Sequence, residues 1–312
     1  MNPAPSIVFF TTASGAGYGL LFWLGILRPI GFLSQNSWFA IVTLLLALAL
    51  ITAGLISSTL HLGRPERAVK ALSQWRSSWL SREGVAAIAT YVPAGIMLLA
   101  LLTGREDWVD VTGILAAFGA AVTVWCTAMI YASLPTIRQW NHPLVAPGYM
   151  VFAAFSGAAL LAAHAAFAGR PVVPTMLAVL TGLAALLLKR AYWMAIDAPK
   201  PVGSPTIESA TGLGRIGKTR PLDPPHTEQN WLLREMAFKL ARKHRDRLRG
   251  LVMAGFGAAI GLAFFSLPLG GPVGAFLLVL GALSALAGML VERWLMFAEA
   301  THTVSLYYTA ES

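Results

Sequence analysis

Two ionisable residues bracket one polar connection between long apolar runs, His61 at its start and Glu83 at its end. The connection reads His61-Leu62-Gly63-Arg64-Pro65-Glu66-Arg67, then Gln74-Trp75-Arg76-Ser77-Ser78-Trp79-Leu80-Ser81-Arg82-Glu83-Gly84. An imidazole gains or loses a proton near neutral pH, and a carboxyl group at the edge of lipid can relay one. A quinone headgroup, whose two carbonyls each take up a proton and an electron on reduction, suits such a pair. Arg64 and Arg82 stand beside it, where they would position the pocket or a partner. Ser81 is a candidate N-cap for the helix that Glu83 opens, and the dipole of that helix end favours the anionic carboxylate over proton uptake. A plainer role also fits, in which interfacial His, Arg and Glu simply pair and snorkel. The residues alone leave both readings open.

Other chemistries fit poorly. A membrane bis-histidine haem needs His pairs within the spans, and of six His only His164 lies well inside an apolar run, so no haem is expected. His164 reads as a packed residue. Cys126 is the one cysteine, which excludes an internal disulfide and an iron–sulfur cluster, the latter needing about four thiolates. No metal-ligand set is apparent. The stretch Gly212-Leu213-Gly214-Arg215-Ile216-Gly217-Lys218-Thr219 fits a phosphate-cradling loop, but that motif needs a strand before it and a helix after it. Arg220-Pro221-Leu222-Asp223-Pro224-Pro225 follows, which cannot start the helix, so nucleotide binding is rejected.

The elements that position these residues are membrane spans. Hydrophobic residues make up 56% of the 312 and charged residues 12%, too little polar surface for a water-exposed globule. Eight runs are long enough to cross about 30 Å of hydrocarbon as helices: 7–27, 38–60, 84–103, 109–131, 147–168, 172–194, 250–270 and 272–291, the last extending as helix beyond 298. They are too continuous for barrel strands. The predicted fold is therefore an all-α integral membrane protein, one bundle of eight transmembrane helices in a single membrane domain, 1–312. The first run has no basic residue before Arg28, so it is read as a retained span and not a leader. Gly15 and Gly19 form a small-xxx-small pair suited to close helix packing. The spans are nearly free of charge, which argues against a transporter.

Eight spans put both termini on one side. The loops of that side, 61–83, 132–146 and 189–249, together with the tails, hold 20 of the 23 Lys and Arg residues. Cytoplasmic loops carry such an excess, so both termini are expected in the cytoplasm. The net charge of +9 is thereby a mark of topology, with no sign of nucleic-acid binding. The cytoplasmic loop 196–249 begins with a Pro- and Gly-rich stretch. Over 228–249 it turns helical, with Leu233, Met236, Ala237 and Leu240 on one stripe among Lys and Arg. This basic amphipathic helix suits either anionic headgroups or a docked partner.

The chain resembles the membrane anchor subunits of dimethyl sulfoxide reductase-type molybdenum enzymes. The likeness is carried by Pro3-Ala4-Pro5-Ser6-Ile7-Val8-Phe9-Phe10-Thr11-Thr12, Ser14-Gly15-Ala16-Gly17-Tyr18-Gly19, His61-Leu62-Gly63-Arg64-Pro65 and Ser78-Trp79-Leu80-Ser81-Arg82-Glu83. Met129-Ile130-Tyr131-Ala132, Pro224-Pro225-His226-Thr227 and Arg234-Glu235-Met236 add to it. The resemblance implies an anchor in the bacterial inner membrane that carries neither haem nor iron–sulfur cluster. Its implied partners are a molybdopterin catalytic subunit and a four-cluster ferredoxin-like iron–sulfur subunit. Its exchangeable substrate would be a quinone, ubiquinone or menaquinone. It further implies quinone roles for the residues matching His61 and Glu83, with Glu83 relaying protons and His61 hydrogen-bonding the ring. In the reductase the catalytic face is exported, whereas the charge bias here turns that face inward. This departure resembles the cytoplasmic sulfite dehydrogenase anchors, which pass electrons from sulfite to quinone. The alternatives are a reductase-type complex that oxidises menaquinol, or a passive tether. The anchor itself would not catalyse the molybdenum reaction.

Overall fold

The computed structural model describes residues 3–59, 68–169, 171–199, 204–219 and 239–304. His61 and Arg64, the stripe Leu233–Ala237 and the motif 224–236 lie outside the described residues. Eight long helices dominate: α1 (Pro5–Leu27), α2 (Ser37–Thr59), α3 (Trp79–Thr103), α4 (Glu106–Ala132), α5 (Val145–Phe167), α6 (Val172–Asp197), α7 (Lys239–Leu269) and α8 (Gly271–Ala298). All eight are long and apolar enough to cross a membrane. Their outer faces carry bare Leu99, Phe118 and Leu187, each more than 60% exposed. Side chains of that kind over a whole surface need lipid as solvent.

Helix α1 is the hub of the bundle. Its most apolar stretch is 72% buried, against 28–56% for the other seven helices. It packs on α2, α4, α5 and α8. Close approach at α5 depends on missing side chains: a Cβ on Gly157 would sit 2.1 Å from the Gly19 carbonyl carbon. The Trp23 indole adds a hydrogen bond to the Ala154 carbonyl at 2.8 Å. Gly15, expected to share this packing role, has nothing within 4 Å of an added Cβ. It lines a cavity instead.

The helices alternate in direction, so the start of α1, the end of α2, the start of α3 and the end of α4 share one face. The Ser57 hydroxyl of α2 donates to the Ser6 carbonyl of α1 at 3.0 Å on that face. The opposite face is held by Arg28, which is 1% exposed and pairs with Glu106 at 2.6 Å and Asp110 at 3.0 Å. Those two acids lie in the first turns of α4, where a helix N-terminus also favours them.

One expectation about charge is corrected. The spans are not nearly charge-free: α6 and α8 run past Lys189, Glu292 and Arg293, and all three are buried at 0–3% exposure. Residues 239–249, the described end of the helix expected over 228–249, run on into the seventh span as one helix of 31 residues, since the single Gly250 does not break it. The glycine-rich stretch 212–219 follows the short helix Ile207–Thr211, not a strand, so it lacks the phosphate-loop context.

Candidate functional site

Glu83 sits one turn inside α3, not at its tip. The N-cap is Ser78, whose side chain faces the Ser81 amide at 3.5 Å. The preceding loop is pinned by Arg82, which donates to the Trp75 carbonyl at 2.9 Å and the Arg76 carbonyl at 2.7 Å. Its guanidinium lies over the Trp79 ring at 4.2 Å. Arg82 therefore holds the loop against the helix start, while the next residue turns inward.

The Glu83 side chain is 5% exposed. It accepts a hydrogen bond from the Thr127 hydroxyl of α4. Among the described residues it has no salt bridge. Thr127 also lies 3.0 Å from the Thr123 carbonyl. One hydroxyl has one proton, so two arrangements satisfy the group. Thr127 donates to an ionised Glu83, or a protonated Glu83 donates to Thr127, which then turns to Thr123. A turn deeper, Thr123 meets Thr90 of α3 at 3.2 Å. Tyr18 of α1 is 2% exposed in this region, and its hydroxyl has no hydrogen-bond partner among the described residues.

A small polar cavity of about 20 Å³ adjoins Thr127. Thr12, Ser14, Tyr18, Tyr149, Ser156 and Arg293 line it as well. That volume holds a water molecule. Its far wall belongs to a buried ion cluster between α6 and α8. Lys189 pairs with one oxygen of Glu292 at 2.5 Å and Arg293 pairs with the other. The Arg293 guanidinium lies 4.2 Å from the Tyr149 ring centre. Outside this group, Arg249 joins Asp197 at 2.5 Å and Glu299 at 2.7 Å. Arg245 also reaches Asp197, at 3.5 Å, so this second, partly exposed group joins two cations to two acids. A buried charge such as Glu292 demands pairing of this kind.

The structure therefore brings Glu83 together with Thr127, and through the cavity with Tyr149 and Arg293. It does not bring Arg82 into that cavity. The signal for the ion cluster was present in the sequence. Apolar residues resume after each charge, at Ala191–Ile196 and Trp294–Ala298, as they do when a span continues. His164 packs as expected, stacked on Phe39 at 4.7 Å.

Residues 1–210 match the family described as DMSO reductase anchor subunit (DmsC). The protein is 33% identical to the C subunit of the sulfite dehydrogenase of Allochromatium vinosum over an alignment of 341 positions, covering 99% of both sequences. It is 32% identical to the C subunit of the anaerobic dimethyl sulfoxide reductase of Escherichia coli K12 over 118 positions, 36% of this sequence and 39% of that one. No solved structure matches it. Eight apolar helices and a family match that spans the first six of them make the chain a multi-pass membrane protein, and it belongs to the DMSO reductase anchor subunit family, the membrane anchors of molybdoenzyme complexes.

Proposed function

We propose that this chain exchanges electrons between an iron–sulfur partner and a quinone held near Glu83 and His61 at the basic face of the bundle. The observation that carries the reading is Glu83 itself. It is a carboxyl group buried inside a span, joined to a hydroxyl and, among the described residues, to no cation. An ionised carboxylate in that setting is costly, and uptake of a proton removes the cost. A group of this kind beside a quinone would deliver or accept the protons that accompany its two electrons. His61 would hydrogen-bond one quinone oxygen. Arg64 would position the pocket or the partner, and so would Arg82, which holds the loop at Trp75 and Arg76.

The basic face, which also presents the termini, is assigned to the cytoplasm of a bacterium with the anchor in its inner membrane. The Lys and Arg excess supports that orientation. Similarity along the whole chain to a sulfite dehydrogenase subunit supports sulfite as the electron source. The iron–sulfur subunit would bear several clusters and carry electrons from the molybdopterin subunit. The partial match to a dimethyl sulfoxide reductase subunit supports the second reading, in which menaquinol is oxidised.

The experiment is His61→Ala and Glu83→Gln in the assembled complex. Quinone-linked turnover collapses while activity with a soluble electron acceptor survives. Loss of both activities, or of neither, contradicts the roles. A reporter fused to either terminus tests orientation, and a periplasmic signal overturns it. A passive tether predicts no quinone-analogue binding to the isolated chain.

A further inference from the structure

Helices α2 and α3 follow one another in the chain but hardly touch. Each is drawn to a different neighbour. A Cβ on Gly17 of α1 would sit 2.7 Å from the Ala47 carbonyl oxygen of α2, and one on Gly119 of α4 would sit 2.6 Å from the Thr90 hydroxyl of α3. A seam is left between α2 and α3, and among the described residues one hydrogen bond crosses it: the Thr52 hydroxyl meets the Tyr91 hydroxyl at 2.5 Å. Thr52 is exposed and Tyr91 is half-buried. Ile56 and Ile88 lie about one turn from this pair toward the basic face and are 58% and 57% exposed. The seam therefore opens to lipid.

Thr52 lies two turns, roughly 10 Å, inside the end of α2 at Thr59. Hydrocarbon at that depth offers no hydrogen-bond partner. Thr43, Thr90 and Thr123 each donate to the carbonyl one turn back in their own helix. Thr52 has no such bond among the described residues, and its one partner is Tyr91. Two hydroxyls carry two protons, and their contact uses one. The pair thus keeps one donor in the seam without an acceptor. An unmet donor in hydrocarbon is costly, and a molecule that brings an acceptor on an apolar body from the bilayer removes the cost. A phospholipid acyl chain brings no acceptor to that depth. A quinone ring brings two carbonyls.

The seam also leads to Glu83. Side chains lean toward the N-terminus of their helix, so the Tyr91 phenol reaches back along α3 in the direction of Glu83. The unpartnered Tyr18 hydroxyl of α1, beside Thr123, has both Glu83 and Tyr91 among its ionisable neighbours. On the other wall, α2 ends two residues before His61.

We propose that the quinone enters between α2 and α3 and that the Thr52–Tyr91 hydroxyl pair donates to the carbonyl opposite the one assigned to His61. The inference rests on the reading that the chain binds quinone near Glu83, and it adds the entry route and the pair that orients the ring.

The test uses the assembled complex and a decyl-substituted benzoquinone, with each rate divided by that of a soluble acceptor. Thr52→Val combined with Tyr91→Phe removes both hydroxyls at nearly constant shape and raises the quinone KM roughly three- to tenfold. Either change alone raises it less, because the remaining hydroxyl turns to the carbonyl. In the parent complex a photoactivatable azidoquinone labels residues 48–56 or 84–95, read by peptide mass spectrometry, and excess decyl-substituted benzoquinone displaces the label. That readout needs neither a variant nor turnover. A normal KM in the double variant, or a displaceable label confined to other helices, overturns the proposal. If Glu83→Gln then still abolishes quinone turnover, the seam assignment falls alone. If Glu83→Gln turns over quinone normally and the chain takes up no displaceable label, the quinone reading falls with it.

Discussion

Glu292→Gln is the most demanding perturbation of the buried ion cluster. The Glu292 side chain is fully buried and serves two cations, Lys189 through one oxygen and Arg293 through the other. Gln keeps the shape and one accepting oxygen but removes the charge that both cations share. Two buried cations are then left side by side. Breaking a buried pair from one side costs about 3–5 kcal/mol, chiefly through the charge left behind. Lys189→Met provides the contrast. Glu292 keeps Arg293, so the remaining pair stays neutral, and the loss is one charge-assisted hydrogen bond, roughly 1.5–3 kcal/mol. Unfolding of the purified chain in mixed micelles by increasing denaturing detergent, followed by tryptophan emission, gives both values. Glu292→Gln should be the less stable variant by about 2 kcal/mol, the difference between the midpoints of those two ranges. A Glu292→Gln chain within about 1 kcal/mol of the parent would show that water reaches the cluster and screens it. Equal losses in the two variants would show that Glu292 is not the shared counterion.

Thr127→Val removes the hydroxyl on Glu83, and quinone-linked turnover relative to a soluble acceptor should fall about fivefold, read by steady-state assay. Gly157→Ala drives a methyl group to 2.1 Å from the Gly19 carbonyl carbon; α1 and α5 must separate, costing about 2–3 kcal/mol and visibly lowering the yield of folded chain in detergent. Arg28→Lys cannot reach Glu106 and Asp110 together with one ammonium, so thermal unfolding should register a loss of about 1–2 kcal/mol. His142 accepts the Leu144 amide at 3.2 Å, and burial, with Arg138 adding to it, holds its pKa below the ordinary value. That contribution is complete above the unfolded value of about 6.5 and is lost as pH falls through the lowered folded one. The melting temperature should therefore drop on acidification, and His142→Asn, which does not titrate, should flatten that part of the profile.

Much of the architecture was legible because lipid imposes simple rules. Long apolar runs must become helices, since only helices and closed barrels satisfy the backbone in hydrocarbon. Glu83 also stood out in the sequence, as a carboxyl group at the rim of a span against an apolar background. Its surroundings were not. Thr127, Thr123 and Tyr18 are ordinary residues within apolar runs, and only the packing of α1 and α4 against α3 makes them neighbours of a buried acid. Lys189 and Arg293 were counted with the basic face, although the run 172–194 includes Lys189 and the last helix was expected to extend past Arg293. Counting charge by side overlooks cations and acids of different helices that neutralise one another inside the bundle.

The amino-acid order alone determined eight spans, their alternation and the basic face, because hydropathy and charge act locally along the chain. It also determined that Glu83 lies on that face. Tertiary structure decided that Ser78 caps α3, that Arg82 serves the loop and not the cavity, and that Glu83 of α3 meets Thr127 of α4. Each of these depends on groups from different helices meeting at hydrogen-bond distance, and spacing along one chain carries no record of which helix faces which.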